Sequence, residues 1–344
     1  MEIPGEKLVI KLWETLAEKG IGSLLAPWQA IREGKARNEV RRAELLMLAQ
    51  AEVDVAEIRA GRKCLEADGS LRLLPAPNSR ADPVIQSDGQ IEPRVNFGSL
   101  AEVSARVNAA QEARKEINVS KAIIHAEEAL ANDSQTPPKR TVEEDWLFTW
   151  RDYAGRVSTE DLQQLWGKIL AGEVKSPGTY SIRTLDFLKG LSKDEAERIS
   201  ELARFVIDGR IFRSLNKYLE DHGISFSLLL AMQDLGMLSG VEAIGLETQY
   251  KSVLPERYAI SLRSNGKALV VEHDDPNKVL TIEVYLLTTV GGQLLGLGSF
   301  EPNLEYLRLA GKEILKQGFT VHLADWVQQS ENMGRYFNAE KIDA

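Results

Sequence analysis

Residues 141–192 read TVEEDWLFTWRDYAGRVSTEDLQQLWGKILAGEVKSPGTYSIRTLDFLKGLS. This stretch decides the fold class. Thr141 with Glu144 and Ser192 with Glu195 fit capping boxes, and Ser158 with Asp161 is a near variant. Leu162, Leu165, Trp166, Ile169 and Leu170 recur at i, i+3, i+4, i+7 and i+8, one apolar face of a helix. Ser176-Pro177-Gly178 is a turn. Ile182, Leu185 and Leu188 begin the next face, and Ile199, Leu202, Phe205 and Val206 the one after. Three of the chain's six tryptophans lie here. Short helices with tight connections predict a helical bundle. The stretch holds no nucleophile–base pair, no metal-ligand spacing and no phosphate loop.

Upstream, Leu8, Val9, Leu12, Trp13 and Leu16 form one helical stripe that ends at Gly20 and Gly22. Ser23 can cap a second helix running to about Gly61, interrupted only by Gly34. A helix that long needs a partner helix, another subunit or a surface. From Glu66 to Pro93 four prolines among Asn, Ser, Asp and Gly read as a linker. Helical character resumes at Ser99, and residues 133–140 form a second linker.

Beyond Gly209, residues 225–238 read as a buried helix. Residues 268–273 and 279–287 read as two strands of a hairpin joined by DDPNK. Thr288 or Thr289 can cap the next helix, another follows over Asn303 to Lys316, and Phe319 to Leu323 reads as a strand. The expectation is therefore a mainly α chain: a helical bundle with long N-terminal helices and a C-terminal winged-helix-like α+β domain. Its regions are 1–64 (assembly), 65–98 (Pro-rich linker), 99–208 (central bundle) and 209–344 (winged-helix-like).

The chain's 344 residues, 43% hydrophobic and 27% charged, suffice for two or three soluble domains. A formal charge of -9 gives no global attraction to nucleic acid or anionic lipid. The single cysteine, Cys64, rules out a disulfide framework and a cysteine zinc site. A basic N-terminal region of the signal-peptide kind is missing from Met1–Gly5, and no run of about 18 apolar residues occurs. A cytoplasmic location is expected, with a peripheral membrane location as the alternative.

LWGKILAGEVKSPGTYSIRTLDFLKGLS (165–192), preceded by EDWLFTWRDYAGRVS (144–158), resembles the core signature of an uncharacterised bacterial family, domain of unknown function 2806. GIGSLLAPWQAIREGKARNE (20–39) and LTTVGGQLLGL (287–297) are similar to that family's flanking pattern. The resemblance implies no activity or catalytic residue, because the family has none assigned. It extends, more distantly, to helical proteins of phage-defence loci.

Candidate sites each have a plainer structural reading. His273-Asp274-Asp275 holds metal-binding residue types but reads as a solvated loop, since neighbours on a strand face opposite ways. His125 with Glu127 and Glu128 lacks His-Glu-x-x-His spacing and reads as a solvated helix face. Gly291, Gly292, Gly296 and Gly298 lack the dinucleotide spacing. Glu143, Glu144, Asp145, Asp152, Glu160 and Asp161 read as acids favoured at helix N-termini. Arg183, after the Pro-Gly turn, is expected to pair with Glu173 or Asp186, or to bind an anion. The helix near Ser225–Leu235 lacks Lys and Arg, which argues against a DNA reader.

Trp13 and Trp28 on amphipathic helices allow a membrane-surface reading. Arg37, Arg41 and Arg42, with Arg32 and Lys35, form the one clearly basic run. The functional expectation is a non-enzymatic assembly protein, forming a homo-oligomer or engaging a protein partner through its N-terminal helices. The alternative is a phage-defence effector or regulator acting on a membrane or nucleic acid through the basic run. No cofactor is expected.

Overall fold

The computed structural model describes residues 5–21, 37–66, 70–74, 97–243, 246–330 and 333–343. The chain divides into two compact units, Met1–Leu185 and Asp186–Ala344. Of the regions read from the sequence, 1–64 and most of 99–208 fall within one unit, and residues 186–208 fall in the other.

The first unit begins with α1 (Glu6–Glu18), whose apolar stripe Leu8, Leu12, Trp13 and Leu16 is buried. It enters through Gly5 at φ 81, where an added Cβ would strike the carbonyls of Leu130 and Ala131. Next come α2 (Arg37–Arg59) and a small hairpin of β1 (Lys63–Leu65) and β2 (Leu71–Leu73). α3 (Phe97–Leu130) is the longest helix, about 51 Å at 1.5 Å per residue. α4 (Glu144–Ala154), α5 (Glu160–Lys175) and the first residues of α6 (Ile182–Gly190) complete the unit.

The core lies where α3 meets α5, with α1, α2 and α4 around it. Ile117, Ala122, Ile123 and Ala126 of α3 face Trp166, Ile169 and Leu170 of α5, all buried. Two tryptophans tie α4 into this core by backbone acceptors: Trp150 Nε1 donates to the Trp166 carbonyl (2.9 Å) and Trp146 Nε1 to the Tyr180 carbonyl (2.7 Å). Tyr153 meets Trp166 edge-on at 5.9 Å. The expected stripe on α5 is buried at Trp166, Ile169 and Leu170, but Leu162, in the first turn, is exposed.

In the second unit, α7 (Lys193–Ala203) starts on the expected capping box. Ser192 Oγ accepts from the Glu195 N–H at 3.2 Å, and Glu195 Oε2 from the Ser192 N–H at 2.8 Å. The other two expected boxes are not formed. α4 starts from Glu143 and α5 from Thr159, each out of register with its expected cap, and neither makes a side-chain cap bond. First-turn acids (Glu144 and Asp145, Glu160 and Asp161) oppose the helix dipole instead.

The second unit continues with β3 (Arg210–Phe212), α8 (Asn216–Asp221), α9 (Phe226–Asp234), β4 (Leu238–Ser239) and β5 (Glu247–Tyr250). β6 (Tyr258–Ser264), β7 (Lys267–His273), β8 (Leu280–Leu287), α10 (Thr289–Leu295), α11 (Leu304–Leu315), β9 (Thr320–Ser330) and β10 (Met333–Lys341) follow. β6 and β7 are joined by Asn265 (φ 46) and Gly266 (φ 78), the positive-φ pair of a two-residue hairpin turn.

This unit overturns the fold-class expectation. The described residues are 51% helical and 19% strand, a mixed α+β fold with three antiparallel sheets among them, and not a mainly helical bundle. The expected hairpin of residues 268–273 with 279–287 does not form. β7 pairs with β6 and β9 in a sheet ordered β10-β9-β7-β6, whereas β8 pairs with β3, β4 and β5. The strand signals were correct, but β7 takes its immediate predecessor β6 and the distant β9 as partners, and β8 takes β3, β4 and β5. That pairing replaces the winged-helix-like arrangement. Thr288 does cap α10, accepting from the Gly291 N–H at 3.0 Å.

Candidate interaction surface

α2 carries two apolar faces. Leu48, Val55 and Ile58, with the buried carboxylate residue Glu44 one turn before them, fall one or two turns apart on the side where α2 packs along α3. Leu46, Ala49, Val53 and Ala56 repeat at the same spacing and are exposed, Leu46 by 63% and Val53 by 54%. Leu46 lies two residues from Glu44, about 200° around the helix, so the second stripe looks away from the first. Arg42 continues the outer stripe one turn earlier and is exposed.

The acids in the second half of α2 are neutralised within the chain. Glu52 pairs with Lys121 (2.5 Å), Asp54 with Lys63 (2.6 Å) and Glu57 with Arg62 (2.7 Å). Arg62 binds both oxygens of Glu57, and its hydrogen bonds hold the Glu57 carboxyl below the usual carboxylate range. The outer stripe is thus an apolar strip bordered by satisfied ion pairs. α2 stops at Gly61 (φ 74).

Beside this surface is a cavity of about 410 Å³, lined by Leu45, Glu52, Lys121, His125, Glu160 and Gln163 among others. Among its polar groups, Lys121 pairs with Glu52, and His125 Nδ1 lies 3.0 Å from Glu128 Oε2. Gln163 Nε2 donates to Asn118 Oδ1 (3.2 Å), and Asn118 Nδ2 to the Gly155 carbonyl (2.8 Å). These bonds join α3, α4 and α5, which is a structural task. Among the described residues no group of three or more His, Cys, Asp or Glu is placed to hold a metal.

The residues singled out by sequence are scattered. Trp13 is 6% exposed and belongs to the core of the first unit, so it presents no surface to a membrane or partner. Trp28 lies outside the described residues. Arg37 and Arg41 lie on the first turns of α2 with the exposed Arg42. Arg183 is exposed on the first turn of α6. Glu173, one of its expected partners, instead accepts the N–H groups of Gly178 (2.5 Å) and Tyr180 (3.0 Å) and so fixes the Pro-Gly turn. Burial pushes the Glu173 carboxyl up, and those two N–H groups oppose the shift. Asp186, the other, pairs with Lys189.

His273 Nδ1 accepts the Asp275 N–H (3.0 Å) inside its turn. Gly291 packs so tightly that an added Cβ would lie 2.3 Å from the Met237 carbonyl oxygen, a packing role for that glycine. The sequence reading missed the outer stripe of α2. The signal was present in the 46, 49, 53, 56 spacing, but two alanines carry half of it.

The profile of a family described as "Protein of unknown function (DUF2806)" matches residues 103–310, more than half of the chain. The chain belongs to this family. The matched DUF2806 span runs from α3 to α11 and includes the 144–192 and 287–297 motifs, whereas the 20–39 stretch precedes it. No curated protein and no solved structure matches the chain. No described helix of this DUF2806 protein is long and apolar enough to cross a membrane.

Proposed function

We propose that this DUF2806 protein is a non-enzymatic assembly protein that docks an apolar helix of a protein partner on the outer face of α2. The observation behind this reading is the exposed Leu46–Ala49–Val53–Ala56 stripe, opposite a face that already has its partner in α3. Isolated exposed apolar residues need no explanation, but a row of them at helix-packing spacing does. Two of the cations beside the stripe's second half, Lys121 and Arg62, are already held by acids, which favours an apolar protein helix over phosphate.

The test is the size of the tagged full-length chain in extract of its native cells. The chain should sediment in a complex larger than its own 38.3 kDa. Leu46→Glu with Val53→Glu should shift it to the mass of a single chain while leaving its circular dichroism unchanged. A wild-type chain running alone, or a complex indifferent to the double change, refutes the proposal.

A further inference from the structure

Resting on that reading of α2, we infer that the partner is a second copy of this chain, with the two α2 helices antiparallel and Leu46 of each facing Ala56 of the other. The outer stripe alternates large and small: Leu46, Ala49, Val53, Ala56. Helices pack well when large residues on one face small residues on the other, because the layers then interdigitate without voids. An antiparallel two-fold centred at position 51 meets this condition throughout. It sets Leu46 against Ala56 and Val53 against Ala49, and the symmetry repeats both layers. The same patch then serves on both copies, as an isologous interface requires.

The charges favour the same arrangement. A parallel pair would place Leu46 on Leu46 and Ala49 on Ala49, crowding one layer and leaving a gap in the next. It would also bring Arg42 against Arg42, an exposed like-charge pair at the stripe's end. The antiparallel pair sets Arg42 opposite Ala60 at the rim, where solvent reaches the guanidinium. The flanking Glu52, Asp54 and Glu57 keep their own cations, so no ion pair has to be broken for two copies to meet.

Disulfide trapping of the purified full-length chain tests the register. Cys64, the chain's only cysteine, is first changed by Cys64→Ser. Leu46→Cys and Ala56→Cys are then made in separate chains. Mixed and oxidised, the two should give a covalent dimer, and so should a mixture of Ala49→Cys with Val53→Cys. Leu46→Cys alone should give none, because antiparallel pairing puts the two Leu46 positions ten residues apart along the axis, about 15 Å.

Light scattering of the wild-type chain should give twice the single-chain mass. Val53→Glu should weaken the dimer at least tenfold with an unchanged dichroism spectrum. Trapping of Leu46→Cys with itself would overturn the antiparallel register. A purified chain that stays single while the complex in extract still depends on Leu46 and Val53 would overturn the second copy as partner and leave the assembly reading standing.

Discussion

Gly167→Ala should destabilise the first unit, although alanine is the better helix former. Gly167 lies inside α5 where that helix crosses α3. A Cβ there would fall 2.6 Å from His125 Cβ, 2.7 Å from the Ala122 carbonyl oxygen and 2.9 Å from the Ala126 nitrogen. Two of those atoms are backbone of a continuous helix and cannot turn aside. The propensity gain is about 1 kcal/mol. Overpacking costs about 1–3 kcal/mol, and rigid neighbours push toward the upper end. The net expectation is a loss of about 2 kcal/mol, or a fall in melting temperature of about 4–8 °C for a unit of this size.

Gly292→Ala, in α10, supplies the opposite sign. Nothing lies within 4 Å of its added Cβ and its φ is negative, so the second unit should gain up to about 1 kcal/mol. Differential scanning calorimetry of the three full-length chains reads both shifts. A Gly167→Ala chain that melts at or above the wild-type temperature would mean that α3 and α5 are not in backbone contact.

Trp166→Ala should cost about 3–5 kcal/mol by urea unfolding, because the ring is 2% exposed and packs edge-on to Tyr153; unchanged stability would place Trp166 outside the core. The Tyr258 phenol is pushed up to about 12 by burial, against 10.0 in the open chain. Between those values the folded state keeps a proton that the unfolded state releases, so stability falls as pH rises from 10 toward 12. Tyr258→Phe should flatten that fall, measured as urea midpoints against pH; Tyr250 and Tyr306, also raised by burial, keep part of the slope. Changing Arg37, Arg41 and Arg42 together to Glu should leave binding to anionic vesicles and to nucleic acid unaltered if α2 docks on protein. A salt-sensitive association lost in the triple variant would instead assign the basic run to phosphate.

Local chemistry was legible wherever a few neighbouring residues settle it. The Ser192–Glu195 box, the Thr288 cap and the end of α2 near Gly61 all depend on contacts within a turn or two, and the burial of Trp166 was legible from its place on one stripe with Ile169 and Leu170. Strand pairing was not, because the partner of a strand is chosen by the whole unit. β7 and β8 sit close in sequence yet serve different sheets. β10 went unread because most of its residues are exposed, so MGRYFNAEK shows no clean alternation. β9 was read as Phe319–Leu323 only. Its far half, where Val327 is exposed, carries the same weak pattern. On α2 the expected partner-seeking helix was visible from length alone. Which face seeks the partner depends on knowing that Leu48, Val55 and Ile58 are already covered.

The sheet containing β8 also bears on how the chain emerges during synthesis. The helices of the first unit are complete by Gly190, and its core pair, α3 and α5, is separated by one short helix. The β8 sheet of the second unit has no such order. Ile211 of β3 waits for Tyr285 of β8, and β4 and β5 need the same strand. Until β8 leaves the ribosome, three strand edges have no mate, and pairing over such separations is slow. The helical unit is therefore expected to be in place while the sheet unit is still an open chain, and a pause in translation just before Leu280 would lengthen the interval in which those edges could find the wrong neighbour.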